Sequence, residues 1–339
     1  QIALILAKLN PNKAYAPGDI SPVILSKCAH ILAPIFAIIF NASISTHSVP
    51  CEWKKAYVVP AFKKGDKTSV KNYRPISLLN TVSKVMERCI FNHLYTHVES
   101  KIYNLQHGFM KGRSCTTQLL KVYHTIGSVL DKGGQVDIVF LDFSKAFDCV
   151  SHNLLLHKLK LYYGINGNLY EWINDYLSNR TQCVIIENVC SDFKPVTSGV
   201  PQGSLLGPLL FLLYINDMAL LNLSSSIALF ADDSKCFKQI SHVNDCLNLQ
   251  NDLDQLFRWS KLWRMDFNAD KCKIISITRS NYPVHFTYSM NGTPLEHVGT
   301  FKDLGVVVDR TLSFTSHIDS IITKSTRVCG MIKRSIGFN

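Results

Sequence analysis

Three carboxylates stand where the chain passes from apolar to polar. Asp142 closes the run Val136-Asp137-Ile138-Val139-Phe140-Leu141, and Asp232-Asp233 follow Ile227-Ala228-Leu229-Phe230-Ala231. An apolar, β-rich run that ends in a carboxylate is costly unless the carboxylate has a partner, usually a cation. Two such ends brought together make a hard, oxygen-lined site suited to Mg²⁺. A pair of ions in such a site serves in-line phosphoryl transfer, one lowering the pKa of an attacking 3′-hydroxyl and one neutralising charge on the leaving oxygens. Carboxylates that close repel one another without metal, so the site is expected to bind ions or protons. Nucleotide polymerisation is the reaction class this suggests. Asp142 and Asp232 are far apart in the chain, so only the fold can unite them. Taken alone, Asp232-Asp233 reads as an ordinary two-residue turn.

The elements that must position these residues are those of a large globular protein. With 339 residues, 47% of them hydrophobic, the chain has room for two or three subdomains. Its 36 Lys and Arg against 25 Asp and Glu leave a net charge of +11, which fits a polyanionic partner such as nucleic acid but also many other proteins. Of 11 cysteines, no two are closer than Cys183 and Cys190, which excludes a zinc knuckle or a CxxC pair and leaves buried, reduced thiols of an intracellular protein as the expectation. No signal peptide is visible. The most apolar stretch, Ile31 to Phe40, is too short to span a bilayer and holds Pro34, so it reads as a buried helix and no membrane is expected as a partner. Starting at Gln1 and stopping at Asn339 within a helix-like basic segment, the sequence reads as an excerpt of a longer polypeptide.

Ser21-Pro22 opens an apolar helix expected to reach about Thr46. Ala56 to Phe62 is a strand candidate, followed by a basic turn; Lys54, Lys55, Lys63, Lys64, Lys67, Lys71 and Arg74 make this either a solvated hairpin or a phosphate-gripping surface. Helices are expected over 79–102, 116–130, 152–163, 171–177, 209–221, 243–265 and from 318 onward. Strands are expected at 138–142, 182–187, 227–230, 235–240, 273–278, 284–288 and 303–308, the two around Asp232-Asp233 forming a hairpin. Gln106-His107-Gly108-Phe109 begins a glycine-rich, basic loop, and Pro201-Gln202-Gly203-Ser204 is a turn. His152 and His157 read as packing or capping residues. Strands alternating with helices, plus a hairpin, give an α+β sheet backed by helices.

Several of these segments resemble reverse transcriptases. Val139 to Asp148 resembles the first catalytic motif, Ser198 to Phe211 the second palm motif, and Phe230-Ala231-Asp232-Asp233 the third. Asn72 to Leu79 and Gln106 to Phe109 resemble fingers motifs, Asn268 to Cys272 the fourth palm motif, and Leu304 to Asp309 with Leu312 and His317-Ile318 the primer-grip region. The likeness is to non-LTR retrotransposons of the LINE and jockey-like kind, and runs from about Leu9 to Ile318.

The resemblance implies an α+β right-hand polymerase fold with an antiparallel palm sheet backed by helices. Residues 1–50 would be an N-terminal helical extension, 51–135 fingers, 136–316 palm with interleaved fingers helices around 152–195, and 317–339 the start of a truncated thumb. It implies two Mg²⁺ ions (Mn²⁺ as an alternative) held by Asp142, Asp232, Asp233 and the Phe143 carbonyl. Lys271 would protonate departing pyrophosphate. Arg74, assisted by Lys63 or Lys64, would grip the triphosphate, Gln202 and Gly203 would line the nucleotide pocket, and Phe147 would exclude a ribose 2′-OH. The implied partners are template RNA, a DNA primer at the target site and dNTPs, with nicking by an endonuclease domain missing from this segment, in the nucleus and cytoplasm. A group II intron maturase, an RNA-dependent RNA polymerase, and a co-opted RNA-binding remnant without turnover are the rival readings.

Overall fold

The computed structural model describes residues 1–187 and 189–336. In chain order its elements are α1 (Ile2–Ala7), α2 (Pro22–Lys27), α3 (Ala29–Ser45), β1 (Lys55–Phe62), β2 (Tyr73–Leu78), α4 (Thr81–Val98), α5 (Cys115–Leu130), β3 (Gln135–Leu141), α6 (His152–Leu161), α7 (Gly167–Leu177), β4 (Arg180–Ile186), β5 (Val189–Cys190) and β6 (Lys194–Val196). There follow α8 (Leu206–Ile215), β7 (Ser226–Phe230), β8 (Asp233–Ile240), α9 (Val243–Leu262), β9 (Lys273–Thr278), β10 (Ser289–Met290), β11 (Thr293–Pro294), β12 (Glu296–His297), β13 (Thr300–Asp303), β14 (Val306–Asp309) and α10 (Thr315–Ile336). Helix starts follow local side-chain chemistry. Asn80 accepts the Ser83 amide at the start of α4, and Ser114 and Thr117 form a reciprocal capping box on α5. Such a cap contributes about 0.5–2 kcal/mol.

The chain divides into two compact units, one of residues 1–103 and 145–217 and the other of 104–144 and 218–336, counting described residues. In the second unit a five-stranded sheet has the order β12-β9-β3-β8-β7. The central β3 is antiparallel to both neighbours and buried at every position. That is why its run is almost continuously apolar. The one charge within it, Asp137, accepts from the Tyr288 hydroxyl at 2.7 Å and the Gln135 amide at 2.9 Å, which offsets its desolvation. Val122, Ile126 and Leu130 of α5 pack on Val136, Ile138 and Phe140, while α9 buries Leu249, Leu253 and Leu256. Each such side chain contributes about 1.5–3 kcal/mol on burial.

In the first unit the sheet order is β2-β1-β4-β5, with β6 on β4; β1 is antiparallel to β2 and parallel to β4. Helix α8 packs against α4 and α6 and is buried at nearly every position, consistent with its lack of a polar face.

Five local expectations are corrected. The helix begun at Pro22 breaks at Cys28 and restarts as α3. The stretch from Ile31 to Phe40 is not buried throughout: Ile31 and Ile38 are 74% and 72% exposed, while Phe36 and Phe40 face inward. A run apolar on every side does not say which stripe its neighbours will cover. Residues 284–288 are not a strand, because the Val284 amide and carbonyl are taken up by the Gln135 side chain instead of a ladder. Residues 303–308 are not one strand but the end of β13, a Leu304-Gly305 turn and most of β14. The cysteines are not uniformly buried, since Cys51, Cys190 and Cys329 are exposed; all 11 are free thiols. Among the described residues no helix is long and apolar enough to cross a membrane.

Candidate active site

In the second unit, backbone register assembles the acidic end. Leu141 pairs with Ser234 across β3 and β8, so the next step along each strand sets Asp142 opposite Asp233. Neighbouring strands lie about 5 Å apart. Phe230 pairs with Asp233 across β7 and β8, leaving Ala231-Asp232 as the two-residue turn. The turn is therefore one residue earlier than the Asp232-Asp233 pair, and Asp233 opens a strand. Ala231 sits at φ 54°, a left-handed conformation that costs a non-glycine residue about 1–2 kcal/mol. Asp232 and Asp233 both reach solvent.

Lys271 Nζ is 3.2 Å from Asp142 Oδ2. Both side chains are well exposed, so the pair contributes little to stability, about 0–1 kcal/mol. Its consequence is charge balance at the strand end. The loop that carries Lys271 is stitched to β3: the Asn268 amide donates to the Asp142 carbonyl at 2.8 Å and the Ser144 amide to the Asp266 carbonyl at 2.8 Å. Phe143 bridges Phe267 between these two bonds, and neither bond uses the Phe143 carbonyl. The Phe143 ring is buried and stacks on Phe267 at 4.5 Å.

The Asp233 carboxyl is pushed up to about 6, first by burial against the sheet end and then by repulsion from Asp232, Asp303 and Asp142, with Lys235 opposing. Because the residue still reaches solvent, more weight falls on the repulsion, which a bound cation would cancel. Oxygen donors under mutual repulsion fit a hard divalent cation. The side chains are not gathered into a finished cage: among the described residues no three His, Cys, Asp or Glu side chains group as a metal cluster. A cavity of about 360 Å³ lies beside them, lined by Asp142, Asp233, Lys271, Lys273 and Lys302 among others.

In the first unit, Arg74 lies on β2 paired with Ala61 of β1, and the Lys63 amide donates to the Asn72 carbonyl at 2.8 Å. Arg74, Lys63 and Lys64 thus share one hairpin, all exposed. Ser77 of the same β2 donates its amide to the Gln202 carbonyl at 3.1 Å. Gly203, at φ 107°, approaches so closely that a Cβ would lie 2.5 Å from the Ser77 carbonyl oxygen, and only glycine tolerates this. Gln202 Nε2 donates to Asp148 Oδ1 at 2.8 Å. Phe147 is half-buried and stacks on Phe211 at 4.4 Å, while its carbonyl accepts the Val200 amide. His152 Nε2 donates to the Gly199 carbonyl at 2.7 Å, fixing the start of the same turn. A cavity of about 490 Å³ in this unit is lined by Ser77, Lys145, Asp148, Gln182 and Gln202 among others.

Some supporting residues escaped the sequence reading. Asp148 orients Gln202. Glu87, fully buried, accepts the Leu205 and Leu206 amides at 2.7 and 3.2 Å where α8 begins, and burial holds its carboxyl above the usual range. Lys235, Asp303 and the Tyr123 hydroxyl form a buried network beneath Asp233.

Comparison with known proteins gives a consistent picture. Residues 62–308 match the family model described as reverse transcriptase (RNA-dependent DNA polymerase). The chain is 33% identical over 296 residues to the RNA-directed DNA polymerase from mobile element jockey of Drosophila melanogaster, a match that covers 84% of this chain and 32% of the relative. The jockey counterpart of Drosophila funebris is 30% identical over 336 residues, covering 95% and 36%. The probable RNA-directed DNA polymerase from transposon X-element of Drosophila melanogaster is 30% identical over 335 residues, covering 96% and 36%. The chain spans about a third of the length of the curated relatives it matches. The resemblance to non-LTR, jockey-like elements read from the motifs is thereby borne out.

Proposed function

Because the chain belongs to the reverse transcriptase (RNA-dependent DNA polymerase) family, we propose that it extends a DNA primer 3′ end with deoxynucleotides while copying an RNA template, in target-primed retrotransposition. The fold is then a right-hand polymerase, with fingers over 51–135, palm over 136–316 with interleaved fingers helices around 152–195, and the start of the thumb from 317. The observation that carries this reading is the β3–β8 register, which sets Asp142 opposite Asp233 at a sheet end next to the Asp232 turn.

Asp142, Asp232 and Asp233, with the Phe143 carbonyl, are the residues that hold two Mg²⁺ ions. When bound, the ions supply activation of the 3′-hydroxyl and neutralisation of the leaving oxygens. The protein's own groups do the rest. Lys271, already beside Asp142, donates a proton to departing pyrophosphate. Arg74, with Lys63 and Lys64, neutralises the triphosphate of the incoming nucleotide. Gln202 and Gly203 form the nucleotide pocket, glycine admitting close backbone approach. The Phe147 ring, braced by Phe211, excludes a ribose 2′-OH.

The test is incorporation of labelled dTTP on poly(rA)/oligo(dT) with Mg²⁺, comparing wild type with Asp232→Ala. Wild type is expected to incorporate, and the variant to lose at least about 10³-fold while still binding template–primer. Binding without incorporation by both proteins would make the chain an RNA-binding remnant. Use of UTP as readily as dTTP would make it an RNA polymerase.

A further inference from the structure

The loop Gln106-His107-Gly108-Phe109 is packed directly on the hairpin that carries Asp232 and Asp233. The His107 amide donates to the Leu229 carbonyl at 2.8 Å, and the Leu229 amide to the Leu105 carbonyl at 3.1 Å, so the loop adds a short parallel bridge to β7. Gln106 is 1% exposed. Its Oε1 accepts two backbone amides, Gly108 at 2.8 Å and Ala231 at 3.0 Å. Gly108 sits so close that a Cβ there would lie 2.3 Å from the Ala231 nitrogen. The loop is itself braced, since Arg113 Nη1 donates to the Gln106 carbonyl at 2.5 Å and the Asn104 carbonyl at 3.0 Å.

Ala231 is the residue that most needs holding. It is buried, it precedes Asp232, and it adopts the left-handed φ of 54° that glycine would take without strain. A strained conformation persists only where its surroundings over-determine it. Gln106 and Gly108 are those surroundings on one side, and the β7–β8 ladder is the other.

We infer that Gln106 is a positioning residue for the Asp232–Asp233 turn: its Oε1 locks the Ala231 amide and so fixes where the carboxylates project. This rests on the polymerase reading for its kinetic consequence but not for its structural one. Gln106 is buried, and it acts through the backbone of residue 231, whose amide it accepts.

The experiment uses the full chain in three forms, wild type, Gln106→Met, and Gln106→Met with Ala231→Gly. Methionine keeps the length and removes the acceptor. Gln106→Met is expected to lower kcat by roughly 10–100-fold, since about 1 Å of misplacement costs on that order. KM for dTTP should stay within about twofold, and half-saturating Mg²⁺ should rise. Glycine at 231 adopts the turn without the clamp, so the double variant should recover about fivefold or more. Amide hydrogen exchange at Ala231, read by NMR, should quicken at least about tenfold in Gln106→Met. Unchanged exchange at Ala231 would overturn the inference. So would a loss of kcat that glycine does not rescue and that follows a fall in folded fraction by circular dichroism. If wild type incorporates nothing, the polymerase reading fails while the exchange measurement still decides the clamp.

Discussion

The acidic sheet end of the second unit and the Gln202–Gly203 turn of the first are built by different means. Asp142 and Asp233 owe their placement to a continuous antiparallel ladder, seven residue pairs of β3 against β8, buried throughout on the β3 side. Moving one carboxylate means moving a strand through a packed core. Gln202 and Gly203 lie on a turn with no ladder of its own. They are located by a few contacts from elsewhere: the Ser77 amide on the Gln202 carbonyl, the Asp148 carboxylate on the Gln202 amide, and the close approach of Gly203 to Ser77. The difference matches the two tasks assigned above. Cation ligands need fixed separations, whereas a pocket that admits each of four bases in turn has to yield around its ligand. The acidic end also carries repulsion among its carboxylates, offset in part by Lys235 and Lys271, and the turn carries none that the structure records.

The comparison breaks most readily at Gly203. Gly203→Ala places a Cβ 2.5 Å from the Ser77 carbonyl at a φ of 107°. The turn has to move off β2, and kcat/KM for dTTP is expected to fall roughly 10–100-fold, mostly through KM. Half-saturating Mg²⁺ should not move, because the acidic end is held by its own ladder. Gly133→Ala is the control: it has a positive φ of 72° with nothing within 4 Å of its Cβ, so backbone strain of about 1–3 kcal/mol should appear in denaturant unfolding without a change in KM. If Gly203→Ala shifted the Mg²⁺ requirement as much as KM, the two regions would not be separable.

A smaller effect is expected at Phe147. Its ring stacks on Phe211 with an interplanar angle of 15°, which suits both a sugar-excluding wall and an ordinary core contact. Phe147→Val should lower the preference for dTTP over UTP by about tenfold, the scale of one lost steric contact. Single-nucleotide extension with each substrate gives the ratio. An unchanged ratio with lowered thermal stability would assign the ring to packing alone.

The same contrast explains what could be read from the amino-acid order. The acidic end was legible because ladder geometry is local: an apolar run stops at Asp142, another stops before Asp232, and strands with such ends belong in one sheet. Even so, the turn fell one residue from its expected place, because alanine at 231 carries none of the glycine or asparagine signal of a left-handed position. The Gln202–Gly203 turn was recognisable as a turn, but its partners Ser77 and Asp148 come from distant parts of the chain, and no spacing rule links them. Gln106 is the clearest case. It acts on a residue 125 positions away, and although Gln106 to Phe109 resembles a fingers motif, nothing local in it points to Ala231. Likewise α3 shows that an apolar run predicts a helix well and its covered face poorly.

The smallest expected effect tests whether the repulsion assigned to the acidic end is present. With its carboxyl raised from 3.8 to about 6, Asp233 binds its proton more tightly in the native state than in the unfolded chain. Between about pH 4 and 6 the native state therefore holds the extra proton, and stability should fall as pH rises through that window. Asp233 reaches solvent, so screening reduces the effect to about 1 kcal/mol or less, or roughly 2 °C in Tm. In EDTA, wild type should lose this amount from pH 4.5 to 7 relative to Asp233→Asn, which has no carboxylate to ionise. Mg²⁺ at pH 7 should return it to wild type and give Asp233→Asn less, because the cation takes the place of the proton among the same oxygens. Gln202→Leu in the first unit should keep the wild-type slope, because the altered group does not titrate and Asp233 is intact. Equal slopes in wild type and Asp233→Asn would mean that the carboxylates do not act on one another, and the contrast between a charged, ladder-held end and a neutral, contact-held turn would lose its electrostatic half.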